Sequence, residues 1–593
     1  MRLLGLFLLL SSTQLVAQKY TISGYVEDAA TGERMVGVNV VAKELSLGTT
    51  TNTFGFYSIT LPSSTFHLEM SFIGYQKSSK EVNLVESILI NVELELQAEA
   101  LDEITLIGEE SIVKRTQSSV IDVPVEQIKS MPALLGEVDV LKAIQLLPGV
   151  QSGSEGTSGF YVRGGGPDQN LILLDGVPVY NASHLFGFFS VFNADAIKNV
   201  RLTKGGFPAR FGGRLSSVLE IDMKDGNIKE FSGETSIGLI ASKMTLQGPI
   251  VKDKASFIVS ARRTYIDVLA QPFIMAAGDG GRGGYYFYDL NAKVNYTISD
   301  KDRLYLSTYT GDDRFYASYK DNLLSGDKFK FGLGWGNLTS SLRWNHLFSD
   351  KLFSNTTLTF SQYKFNITAS EEYTYDGFKD EYEFDYYSGI RDWGFKMDFD
   401  YLPNPNHYVK FGVSNTYHTF MPGQLDLFVS EPQYNESIDT SFVFSERLYS
   451  HDAFVYIEDD IKVNDRLKAN VGLHASVFSV NGKIYPSLQP RLSARYLLNE
   501  DWSAKMSYAE MQQNVHLLTN SNAGLPTDIW VPSTDKIKPQ SSKQIAGSIT
   551  RTLKDGVYEL SLEGYYKTMD NLISYQEGSS FMSFKDWQET VET

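Results

Sequence analysis

A mainly β chain is predicted, built as a small N-terminal sandwich, a mixed α/β domain and a large antiparallel barrel. Three observations carry this. Apolar and polar residues alternate in long stretches, the two-residue period of half-buried strands. Tight charged or Asn/Asp/Pro turns recur about every 50 residues through the last 365 positions. No run of 18 apolar residues occurs, so the mature chain has no membrane-spanning helix and is either soluble outside the inner membrane or a β-barrel.

Composition narrows the function classes. The 593 residues carry 71 acidic and 53 basic side chains, a formal charge of -18, which argues against a duplex nucleic-acid binder. A hydrophobic fraction of 42% with 13% aromatics excludes a disordered chain. With no Cys there is no disulfide framework, thiolate zinc site or cysteine nucleophile. The eight His are scattered without metal-ligand spacing, so no metal and no cofactor are expected. No nucleophile–base motif points to an enzyme.

Residues 1–18 read as a secretory signal peptide. Met1 and Arg2 give the positive start, Leu3 to Leu10 the apolar core, and Ser11 to Ala17 the small, polar exit. Residues 19–97 form an all-β domain. Phe66, Leu68, Met70 and Phe72 alternate with polar neighbours, as do Ile90, Val92, Leu94 and Leu96, and Gly-containing turns separate the runs. Residues 98–112 are a short apolar and acidic strip, suited to a linker, an edge strand or a segment that adds a strand to a partner.

Residues 113–226 are mixed. Val138, Leu141 and Ile144 lie three apart on a helix that stops at Pro148 and Gly149. A strand from Phe160 to Arg163, a turn from Gly164 to Asn170 and a strand from Leu171 to Leu174 read as a hairpin. Gly164, Gly165 and Gly166 are not a phosphate loop, since no Gly-Lys-Ser/Thr follows and the run leads into a strand.

From residue 229 to 593 turns fall near Lys252, Asp300, Asp350, Asn404, Asn464, Asn499 and Lys554, each flanked by alternating segments, with long polar loops between them. Short turns on one side, long loops on the other and abundant Tyr and Phe are the outer-membrane barrel pattern, here with about fourteen strands.

Two stretches, FYVRGGGPDQNLILLDGVPVYN and NADAIKNVRLTKGGFPARFGGRLSSVLEI, resemble the plug domain of TonB-dependent outer-membrane transporters. The row TISGYVEDAATGERMVGVNVVAKELSLGTTTNTFGFYSITLP resembles the carboxypeptidase-regulatory-like fold, a transthyretin-like β-sandwich. That module is an accessory beside the catalytic domain of metallocarboxypeptidases and implies no peptidase activity. A plug of ~115 residues is ~35 Å across. Fourteen strands enclose a cylinder of only ~28 Å between backbones, whereas twenty-two give ~44 Å. The expectation is therefore a truncated barrel with about 14 of 22 strands.

The resemblance implies the mechanism and its residues. The protein would sit in the outer membrane of a Gram-negative bacterium, against outer-membrane lipid, with its N-terminal domain in the periplasm. TonB and its inner-membrane energising complex would pull on an energy-coupling box, in which Leu101, Glu103, Ile104 and Leu106 pair with TonB. Arg163, Asp175, Arg210 and Arg214 would hold the plug through ion pairs within it or to the wall. If the turn at Gly164 faces the periplasm, loops 151–159 and 177–189 face outward. Ser152, Glu155, Tyr180, Asn181, His184 and Phe186 are then the candidate ligand contacts.

The implied activity is import of a scarce ligand, such as a ferric siderophore, a cobalamin-like molecule or another small nutrient, by proton-motive-force-coupled plug displacement. A glycan importer of the starch-utilisation type, with a surface lipoprotein as lid, and a non-transporting receptor or scaffold are the alternatives.

Overall fold

The computed structural model describes residues 18–593 apart from 46, 98–111, 118, 133–134, 154–158, 278–280, 321–326, 376–377, 435, 444, 520–526, 555–557, 581–582 and 584. Residues 19–94 fold into two four-stranded sheets packed face to face. One holds Phe56–Pro62, Lys19–Asp28, Ile88–Leu89 and Val92–Leu94; the other holds Leu47–Thr50, Asn39–Ala42, Ser64–Ser71 and Ser78–Leu84. The alternation explains the packing: Phe66, Leu68, Met70, Val92 and Leu94 are buried between the sheets, while their polar neighbours face outward. Leu96 falls beyond the last strand and is exposed.

The mixed domain is built on a five-stranded sheet in the order Val177–Pro178, Asn170–Leu174, Ser217–Met223, Ile197–Lys204, Val120–Val123. The helix Val140–Gln145 is capped by Asp139, whose side chain accepts from the Lys142 backbone N–H, and it buries Leu141 and Ile144 against this sheet.

The expected hairpin across residues 160–174 does not form. Phe160–Val162 pairs instead with Val150–Ser152, and Asn170–Leu174 runs parallel to Ser217–Met223. The reversal at Gly164 and Gly165, where the Gly165 N–H returns to the Val162 carbonyl at 2.9 Å, is followed by a 3₁₀ turn, Pro167–Gln169. Together they carry the chain out of the first ribbon and into the second sheet.

The rest of the described chain is dominated by one 16-stranded antiparallel sheet, with two small two-stranded ribbons and the helix Ile266–Ala277 beside it. Each of the seven turns read from sequence joins two paired strands of it, from the pair Ala241–Val251 and Ala255–Thr264 to the pair Gln540–Leu553 and Tyr558–Asp570. The count of about fourteen rises to sixteen among the described residues because two strands lie outside those hairpins. Ser232–Ile237 precedes the first counted turn, and Glu436–Val443 lies inside a segment read as loop.

Strand faces follow the period of two. On Arg282–Ser299 the residues Asp289, Asn291, Lys293 and Asn295 are buried on the inner face, while Leu290, Val294, Tyr296 and Ile298 are exposed on the outer one. No helix among the described residues is long and apolar enough to cross a membrane.

Candidate functional site in the lumen

The mixed domain touches inward-facing side chains right across the sheet. Near one end Asn193 donates to Ser260 at 2.8 Å, and near the other Arg163 donates to Glu563. Tyr309 of the wall joins the mixed domain's own hydrophobic cluster.

Most of the site residues singled out in the sequence lie at this contact. Arg163 is buried with a left-handed backbone (φ 49°) and also donates to Ser119 Oγ at 2.5 Å; burial pulls its guanidinium down to about 10. The same crowding, with burial first and Arg163 second, lowers Lys204 to about 8. Asp175 accepts from the Met223 N–H at 2.9 Å and pairs with Lys293 of the wall at 3.1 Å. Arg210 pairs with buried Glu458 at 3.3 Å. Arg214 lies 5.4 Å from the Trp530 ring and donates to the Gly213 carbonyl.

Tyr180, Asn181, His184 and Phe186 lie ten or more residues from the tight turns, measured along the strands they touch. Tyr180 donates to Asp392 and meets Trp530 edge-on at 4.8 Å. Asn337 Nδ2 donates to the Asn181 carbonyl at 2.6 Å. Phe186 (φ 55°) packs against Trp335 at 5.1 Å. His184 is held on both sides, Nδ1 at 2.5 Å from Asp313 and Nε2 at 2.8 Å from Asp289, and stacks on Phe287 at 4.1 Å. Burial disfavours its charge, yet Asp289 and Asp313 outweigh that and hold it up at about 9.

Tyr180 and Asn181 also line a cavity of about 90 Å³ with Asp168, Arg214, Asp528 and Trp530. Asp168 belongs to the turn expected to face the periplasm. Its carboxylate instead accepts from Gln513 at 3.1 Å, at the long-loop end of the strand Trp502–Gln513. That turn therefore climbs away from the tight turns. Ser152 is exposed on Val150–Ser152 and lies outside this cavity. Glu155, Leu101, Glu103, Ile104 and Leu106 lie outside the described residues.

A second cavity, of about 1080 Å³, opens toward the tight turns between the sandwich, the mixed domain and the wall. Asp175, Asp222, Lys293, Arg343, Lys396 and Phe54 line it. Burial, then Asp175 and Glu220, push the Asp222 carboxyl up to about 6. The sandwich sits across this mouth. Phe54 and Phe56 each stack on Phe353 at 5.4 Å, Asn52 donates to Asp400 at 2.8 Å, and Ser58 donates to the Asp350 carbonyl at 2.6 Å. On the mixed-domain side Lys198 donates to the Arg34 carbonyl at 2.7 Å.

Sequence reasoning missed the wall partners Asp289, Asp313, Asp392, Glu458 and Glu563. Their signal was a polar or charged residue at every second strand position, which marks an inward face but does not say which inner residue meets the plug.

Family models match three regions of the chain. Residues 22–106 match the CarboxypepD_reg-like domain, residues 113–217 the TonB-dependent receptor plug domain, and residues 272–585 the TonB-dependent receptor-like β-barrel. TonB-dependent receptor P3 of Formosa agariphila is 30% identical over 187 residues, covering 29% of this chain and 18% of that protein. TonB-dependent receptor SusC of Bacteroides thetaiotaomicron is 30% identical over 243 residues, covering 38% and 23%. The matched stretches thus span less than a quarter of these relatives' length.

Among solved structures, the siderophore receptor PirA of Acinetobacter baumannii superposes with a TM-score of 0.51 at 17% identity, covering 79% of this chain and 73% of that one. FpvA of P. aeruginosa does so with 0.55 at 12% identity, covering 82% and 69%. These likenesses speak for the fold. With a matching barrel model over more than half its length and a plug seated against the inner face of its sheet, the chain belongs to the TonB-dependent receptor family.

Proposed function

We propose that the protein is a TonB-coupled outer-membrane importer of a scarce ligand, a ferric siderophore, a cobalamin-like molecule or another small nutrient. One observation carries the reading. Alongside apolar contacts, the plug is pinned to the wall by buried polar and charged pairs: His184 with Asp289 and Asp313, Arg210 with Glu458, Lys293 with Asp175. Buried ion pairs fix geometry while contributing little net stability against a hydrated alternative. A plug held this way is well placed yet can be drawn aside by an external pull into a wet lumen. The outer membrane supplies no ATP, so that pull would come from TonB acting on residues 101–106.

Arg163, Asp175 and Arg210 act in this reading as plug-retaining groups. Tyr180 and Asn181, beside the smaller cavity, act as ligand contacts exposed when the plug's outer loops part from the wall. His184 and Phe186 anchor the same loop. Import by a glycan transporter of the starch-utilisation type, a type that shares the N-terminal sandwich, is the second reading.

The test is a deletion strain complemented with the full-length gene and assayed for accumulation of radiolabelled ferric siderophores, cobalamin and oligosaccharides, with and without a protonophore. Accumulation of one of them that collapses with the proton-motive force supports the proposal. Surface binding of a ligand with no energy-dependent accumulation would favour a receptor or scaffold.

A further inference from the structure

The helix Ile266–Ala277 follows directly from the strand Ala255–Thr264 at the long-loop end of the barrel. Its residues are sorted in the reverse of the usual surface pattern. Its two polar side chains, Asp267 and Gln271, face the protein, and Asp267 is buried. Ile266, Val268, Leu269, Pro272, Phe273 and Met275 are exposed, with Phe273 left 77% exposed. A helix on a water-facing surface turns its polar stripe outward and its apolar stripe inward. This one does the opposite, so the medium on its free side is not water.

Its seat says which medium. Asp267 pairs at 3.0 Å with Arg263, an outward-facing residue, and its Cβ lies 2.8 Å from where a Cβ on Gly284 would stand, in a notch only glycine leaves open. Gly284 has the parity of Leu290, Val294 and Ile298 on Arg282–Ser299, the outer face of the wall. The helix therefore rests outside the barrel, not over its lumen. Register places Arg263 opposite Tyr288, eleven residues from the tight-turn end of that strand at Ser299. At ~3.3 Å per residue and a tilt of ~40°, that is about 28 Å along the barrel axis, close to the ~25 Å height of a lipid-facing apolar band. The apolar face of the helix continues that band at its upper margin.

From this inverted pattern and outer seat, and given the outer-membrane reading above, we infer that Ile266–Ala277 is an interfacial anchor whose apolar face inserts among the acyl chains of the outer leaflet. Phe273 and Leu269 would lie beneath the head groups, the depth at which interfacial helices bury their apolar side. The occupant is lipid rather than a capping protein, because the face is continuous with the lipid-facing wall and carries no polar group to fix a protein partner.

These 593 residues contain no Cys, so each label, placed in a background free of other Cys, reports on one position. Phe273→Cys, Val294→Cys on the wall and Lys252→Cys at a tight turn would be labelled with bimane in the full-length protein in nanodiscs. Quenching by nitroxide carried near the lipid head group is compared with quenching by aqueous iodide. The label at 273 should be quenched several-fold more by lipid than by iodide, like that at 294 and unlike that at 252. Iodide quenching at 273 equal to that at 252, with 294 still lipid-quenched, would overturn the anchor alone. Failure at 294 as well would overturn the membrane reading beneath it. Shielding of 273 from both quenchers in native outer-membrane vesicles, but not in nanodiscs, would mean that a protein covers the helix and would likewise overturn the anchor.

Discussion

His184 of the plug and Asp313 of the barrel wall share a buried hydrogen bond of 2.5 Å, at the centre of a cluster that also holds Asp289, Arg262, Tyr285 and Tyr309. No other His in the chain is gripped by two carboxylates among the described residues. Replacing it with Ala leaves Asp313 and Asp289 without their shared cation. Breaking a buried pair from one side costs about 3–5 kcal/mol. His184→Ala should therefore release the plug at lower urea than the parent, read as protease cleavage within residues 113–226, while the strand signal in circular dichroism is unchanged.

The same residue sets a pH dependence. In the folded protein His184 titrates at about 9, above its ordinary 6.5, so the charged form is favoured by folding. Its contribution is fully present below pH 6.5 and is lost as pH rises through about 9. The shift corresponds to something on the order of 3 kcal/mol. Urea release of the plug should become easier between pH 7 and 10 in the parent and change much less across that range in His184→Ala.

Phe353 is the hinge of the contact between sandwich and barrel, stacked by both Phe54 and Phe56 and itself fully buried. Phe→Ala at a buried site costs about 3–5 kcal/mol. Here the loss falls on docking, and Phe353→Ala should raise hydrogen exchange in the Phe56–Pro62 strand's barrel-facing edge and expose the sandwich to protease without unfolding the barrel.

Tethering tests whether the sandwich must move. Asn52 and Asp400 side chains meet at 2.8 Å, and with no Cys among these 593 residues a pair of cysteines there can be bridged by a short, reducible bis-thiol cross-linker. Asn52→Cys with Asp400→Cys should slow ligand release into the periplasm once cross-linked and recover when the linker is reduced. Equal uptake in both states would place the exit path elsewhere around the larger cavity.

Much of this arrangement was legible beforehand, for reasons of periodicity. Alternation marked the buried Phe66, Leu68 and Met70 and the two-faced wall strands, and the charged turns marked every one of the seven counted hairpins. What alternation does not encode is partner choice. Phe160–Val162 and Asn170–Leu174 are both good strands separated by a glycine turn, yet each finds a different partner. Glu436–Val443 carries polar residues on both faces, so its pairing with His407–Glu431 left no periodic trace. Tyr180, His184 and Phe186 were picked out as loop residues. Their contacts with Asp392, Asp313 and Trp335 depend on how a plug loop meets a wall more than a hundred residues away in sequence.

The central claim is that force applied through the segment before the plug drives import. The direct measurement replaces Leu101, Glu103, Ile104 and Leu106 with Gly and Ser in the full-length protein, then scores surface binding and internal accumulation of the same radiolabelled ligand in one strain. The account predicts binding equal to the parent and accumulation reduced to that of the deletion strain. Accumulation equal to the parent would contradict it and leave a plugged receptor or scaffold in its place.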